Sequence, residues 1–141
     1  MLNLHPLLVH FPIALLTMSF LFDAIGSIMQ KTELQRTGWW MMLSGVVGMA
    51  IAVATGLIAE GKTIVPHLAQ VVFDDHKQYA FLAALLFAIV VLWRIAGRGS
   101  LPARRKWLFW SIYAGGVLLI WIVAWHGGLL VYTFGVAVSA P

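Results

Sequence analysis

A chain of 141 residues that is 62% hydrophobic and only 10% charged carries more apolar surface than a soluble fold of that length can hide, so the composition indicates an integral membrane protein. A net charge of +4 does not indicate nucleic-acid binding, because the basic residues stand between apolar runs and are not interleaved with a polar binding surface. The absence of cysteine excludes thioether-attached haem, thiolate-held iron–sulfur clusters and disulfides, leaving His, Met and carboxylates to hold any cofactor.

Four segments, 6–29, 38–60, 77–95 and 107–132, are long enough to cross a hydrocarbon core of about 30 Å, which takes about 20 helical residues. They predict an all-α, single-domain chain over 1–141: a four-transmembrane-helix antiparallel bundle in up-down-up-down order. The first segment opens with Pro6, suited to a first helical turn, while Pro12 lies deeper and is expected to kink the helix or delay its start. No basic region precedes this long apolar run, so it reads as a retained anchor and not as a cleaved signal peptide. Lys31, Arg36, Arg94, Arg98, Arg104, Arg105 and Lys106 all fall in or beside the first and third connections. The positive-inside rule makes that side cytoplasmic and puts both termini outside, on the periplasmic side of a bacterial inner membrane. The outer connection, 61–75, carries Pro66, His67, Asp74 and Asp75, with an apolar middle at 68–73 expected to lie along the membrane surface.

The second segment carries Gly45, Gly48, Ala52 and Gly56, the last three spaced by four on one helix face. Such a stripe lets a neighbouring helix approach closely; the competing reading is a groove for something flat, such as a porphyrin. In the third segment Ala80, Ala83 and Ala84 clear the side below His76. Asp23 is expected near the cytoplasmic boundary, solvated at the interface, with proton relay as its functional alternative.

All five histidines fall on the outer side: His5 and His10 at the entry of the first helix, His67 in the connection, His76 opening the third helix, and His126 before the outer end of the fourth. His10 and His126 count to similar depths, on the order of 10 Å below the boundary. An ionisable side chain inside a span is usually functional or directed at the bundle interior. His10, His76 and His126 are therefore the leading cofactor ligands, His5 is the fourth, and His67 reads as solvated. Two imidazoles from different helices suit iron bound from opposite faces, so one or two b-type haems fit the pattern. Gly48, Ala52, Gly56, Gly127 and Gly128 are expected to clear space for the ring. Copper or zinc is the alternative, using the same imidazoles with Asp74 or Asp75, although no His-x-x-x-His pair occurs. The closing stretch, His126-Gly127-Gly128-Leu129-Leu130-Val131-Tyr132, allows either a helix broken to fit a ligand edge or a plain helix end with an aromatic anchor.

The opening HPLLVHFPIALL and the closing HGGLLVYTFGV, with four spans and a histidine near the start of the third, resemble the bacterial membrane-protein family known as domain of unknown function 2231. The resemblance covers essentially the whole chain and matches His5, His10, His76 and His126 to the family's histidines. Many relatives carry Glu where Leu129 stands here, so a role for that carboxylate does not carry over. The family's association with c-type cytochrome modules implies a redox setting. The expected function is a membrane cytochrome that passes electrons to or from a cytochrome or other respiratory-chain subunit, a small electron-transfer subunit more than a stand-alone enzyme. Besides the lipid bilayer, a homo-oligomer is a possible partner. A cofactor-free scaffold whose glycine-lined helices dock on other subunits is the reading of another class.

Overall fold

The computed structural model describes residues 5–136 and contains no strand among them. The first span enters as a short helix, α1 (His5–Leu8), and continues as α2 (His10–Ile28). The break falls where Pro12 dictates: without an N–H it cannot bond the Leu8 carbonyl one turn earlier, and the helix is interrupted at Val9. A tight turn through Gln30, at φ 54°, leads to α3 (Thr32–Glu60). A 3-10 turn (His67–Ala69) opens α4 (Gln70–Ala96), and α5 (Lys106–Tyr132) completes the bundle. The first span and α3, α4 and α5 are each long and apolar enough to cross a membrane.

Two of the expected boundaries move. Helices α3 and α4 start earlier than 38 and 77, because polar residues such as Glu33, Arg36, Asp74 and Asp75 lower hydropathy without breaking a helix. The boundary before α4 is set by Pro66, whose ψ of 146° holds the chain extended just before the 3-10 turn. His76 consequently lies inside α4 and does not open it, and the stretch 68–73 is divided between the 3-10 turn and the start of α4. Helix α5 continues unbroken through Gly127 and Gly128. Its end is closed by Gly135, at φ 64°, and by the Val136 N–H on the Leu130 carbonyl at 2.8 Å. Leu130 and Val136 then cluster with Ala69 beside Val65 and Phe73.

The bundle is two helical hairpins, α2 against α3 and α4 against α5, which touch each other far less than the helices within each do. Close approach of α2 and α3 is what the glycines permit. A Cβ at Gly45 would stand 2.7 Å from the Leu16 side chain, and one at Gly48 would stand 3.4 Å from Pro12. Leu16, Met42, Phe87, Phe109 and Tyr113 are fully buried at the centre. Outward faces are apolar too, with Ile28, Trp40, Val47, Leu92, Leu118 and Trp125 exposed. A helix that is apolar on every side is at home in lipid.

At the bundle end away from the described chain ends, the hairpins are joined by a polar cluster that corrects the expectation for Asp23. Asp23 is not solvated at an interface but fully buried, and Arg94, in the last turn of α4 beside the basic connection, is buried with it. Arg94 Nη1 donates to Asp23 Oδ2 at 2.5 Å, while Nη2 donates to the Gly99 carbonyl at 2.9 Å and to the Gln35 carbonyl at 3.2 Å. The Tyr113 hydroxyl stands 2.6 Å from Ser19 Oγ and 3.2 Å from Asp23 Oδ2, and Ser19 donates to the Gly38 carbonyl at 2.7 Å. The physical reason is depth: each charge lies within an apolar segment, where an unpaired ion is costly and an opposite charge on a facing helix is its remedy.

Candidate functional site

At the other end, which carries the described chain ends, the hairpins part around a cavity of about 510 Å³. Its floor is apolar, built from Met49 and Val53 of α3, Ala83 of α4 and Ile120 of α5. Histidines occupy its walls.

His5 is carried on α1 and lies over α3 at Gly56. A Cβ at Gly56 would come within 3.0 Å of the ring's Cε1, so the glycine is what admits the imidazole there. The His5 Nδ1 lies 2.9 Å from the Ala52 carbonyl and 3.3 Å from Thr55 Oγ1. His76 enters from α4, with its Nδ1 3.0 Å from the Val123 carbonyl of α5. A Cβ at Gly127 would stand 3.3 Å from its Cε1. A carbonyl oxygen can only accept, so in each ring Nδ1 carries the hydrogen and donates. In the neutral ring Nε2 is then the nitrogen with the lone pair, the tautomer that a metal-ligating histidine has when a backbone carbonyl holds its other nitrogen. The two ring centroids stand 6.5 Å apart, with ring planes at 89°.

The remaining expected site residues divide. His10 lines the cavity but is exposed beside the break at Val9. His126 stands outside the cavity wall: its Nδ1 donates to the Ile122 carbonyl of its own helix at 2.8 Å, and its ring meets Tyr79 edge to face at 5.4 Å. His67 is exposed on the 3-10 turn. Ala52, Gly56, Gly127 and Gly128 line the cavity, whereas Gly48 lies against Pro12. Among the described residues no three His, Asp or Glu side chains are close enough to hold one ion, so the imidazole triad that copper or zinc would use is not assembled.

The sequence puts His5 below its neighbours because a histidine at the interface beside Pro6 is more often a cap or solvated than a ligand. What raises it is the room at Gly56 and the Ala52 carbonyl of α3, which receive its ring across the helix pair. The buried Asp23–Arg94 pair was legible in one respect: both charges lie within apolar runs, about a turn from the same end of the bundle.

Compared with known proteins, the chain matches over residues 1–140 a family model described as predicted membrane protein, DUF2231. No curated protein and no solved structure matches.

Proposed function

The chain belongs to the DUF2231 family of predicted membrane proteins, and from that premise we propose that it is a membrane cytochrome binding one b-type haem between its two hairpins. The observation that carries this reading is the pair His5 and His76 on one cavity, their ring centroids 6.5 Å apart and each ring held through Nδ1 by a backbone carbonyl. Two imidazoles that bind one metal from opposite faces, with metal–nitrogen bonds of about 2.0 Å, put their centroids about 6 Å apart. A tetrahedral ion would draw them closer and would want two more donors, which favours haem iron over bare copper or zinc. The cavity volume also lies in the range of about 300–1,000 Å³ in which small-molecule and cofactor sites fall.

The bound haem would supply a one-electron couple, and the protein's part is to hold and insulate it. His5 and His76 would hold the iron, the Ala52 and Val123 carbonyls fix their tautomers, and Met49, Val53, Ala83 and Ile120 would exclude water from the floor. Electron transfer to a respiratory-chain partner asks for no base or nucleophile. The site is assigned to the periplasmic half on the charge distribution of the connections. A scaffold built on the glycine stripe is less favoured, because Gly45, Gly48 and Gly56 pack against Leu16, Pro12 and His5 of the same chain.

A reduced-minus-oxidised absorption spectrum of detergent-purified protein, with a pyridine haemochrome assay, tests the reading. A b-type signal at one haem per chain is expected, lost in His5→Ala and His76→Ala and retained in His67→Ala. Folded protein from haem-replete cells that shows no Soret band rejects it.

A further inference from the structure

The cavity is polar at one end. Its charged lining residues are Glu60, from the last turn of α3, and Lys77, which follows His76 in α4. Lys77 Nζ lies 2.5 Å from Glu60 Oε1 and 5.7 Å from the centre of the Phe73 ring, which also lines the cavity. Glu60 lies two turns beyond Ala52, the residue whose carbonyl holds His5. Along α3 the ion pair therefore stands outward of the Ala52 and Gly56 positions that hold His5, with the apolar floor deeper still; Lys77 starts from a backbone position one residue inward of His76, and its ammonium comes to Glu60. An amphiphile with an apolar body and carboxylates at one edge matches that order, and iron protoporphyrin IX, with its two propionates, is such a molecule.

We propose that Lys77 is the propionate anchor of this site, exchanging the Glu60 carboxylate for a haem carboxylate on binding and so setting which edge of the ring faces the membrane surface. The proposal rests on the haem reading above. Its physical basis is that Lys77 is the one Lys or Arg among the described residues that line the cavity and already holds a carboxylate, in the place where a propionate would arrive. Glu60 then acts as an internal competitor. Lys77 is a positioning residue, since the iron is held by His5 and His76.

The experiment is a titration of detergent-solubilised apoprotein with iron protoporphyrin IX and, separately, with its dimethyl ester, whose propionates carry no charge. The ratio of the two affinities cancels the ester's greater partition into micelles when it is compared between variants. Wild type is expected to favour the acid by a ratio about 1.5- to fivefold larger than Lys77→Gln does, the size of a partly exposed charge pair. Lys77→Arg should keep the wild-type ratio, and Glu60→Gln should raise it, because the competing carboxylate is gone. The bis-histidine spectrum should be the same in all four proteins, which separates anchoring from ligation. Equal ratios in wild type and Lys77→Gln overturn the anchor while leaving the haem reading intact. If neither porphyrin binds folded wild type, the haem reading fails and this inference goes with it.

Discussion

The smallest decision in this protein is the glycine at position 56. With hydrogen there the His5 ring rests on α3 and reaches the Ala52 carbonyl; a methyl group would meet its Cε1 at 3.0 Å. Gly56→Val is therefore expected to displace His5 and lower bound haem to well under half of wild type with helical content unchanged, as read by pyridine haemochrome and far-ultraviolet circular dichroism. Gly48→Ala is the control on the same face. Its Cβ would find Pro12 at 3.4 Å, an ordinary contact, and haem content should hold. If both variants keep full haem, His5 is not placed by Gly56. At this scale the sequence offered the residue types and left the ranking of the histidines open, because a ring's direction depends on which carbonyl it finds.

Among the elements, the consequential feature is the buried pair that ties α2 to α4. Arg94 brings its charge to Asp23 through Nη1 and donates from Nη2 to the Gly99 and Gln35 carbonyls, so each hairpin is held to the other at the end away from the cavity. Arg94→Ala leaves Asp23 as a buried charge without its ion partner, and a loss of about 3–5 kcal/mol is expected from breaking such a pair. Equilibrium unfolding in detergent measures it. The double variant Asp23→Leu/Arg94→Met should recover much of the loss, since apolar residues of similar volume often replace a buried ion pair without penalty. A double variant no more stable than Arg94→Ala would mean that the loss comes from the Arg94 hydrogen bonds to the Gly99 and Gln35 carbonyls and not from the unpaired Asp23 charge. Gly38 is part of the same fit, because a Cβ there would stand 2.5 Å from Asp23 Oδ1.

For the whole molecule, the two ends differ in kind: one is locked by the polar cluster, and the other is parted around the cavity. A ligand bound by both His5 and His76 would join the hairpins a second time, from α1 to α4. Haem should therefore raise the thermal midpoint of the apoprotein. Free haem at about a thousandfold excess over Kd corresponds to about 4 kcal/mol. Intrinsic tryptophan fluorescence during heating reads the shift, and it should vanish in His76→Ala. A midpoint that haem leaves unmoved in wild type would argue against a site spanning both hairpins.

The sequence by itself determined the membrane class, the four apolar spans and the confinement of the histidines to one end, because hydropathy and charge act along the chain and can be counted. Pro12 marked the place where the first span would break. Only the tertiary structure decided that His5 and His76 meet on one cavity, that His126 turns to Ile122 and Tyr79, and that Asp23 and Arg94 find each other. These outcomes depend on helix rotation and on which hairpin meets which. When every face of a helix is apolar, hydrophobic periodicity carries no record of rotation; it is set by a few small residues and by buried polar groups that must find partners.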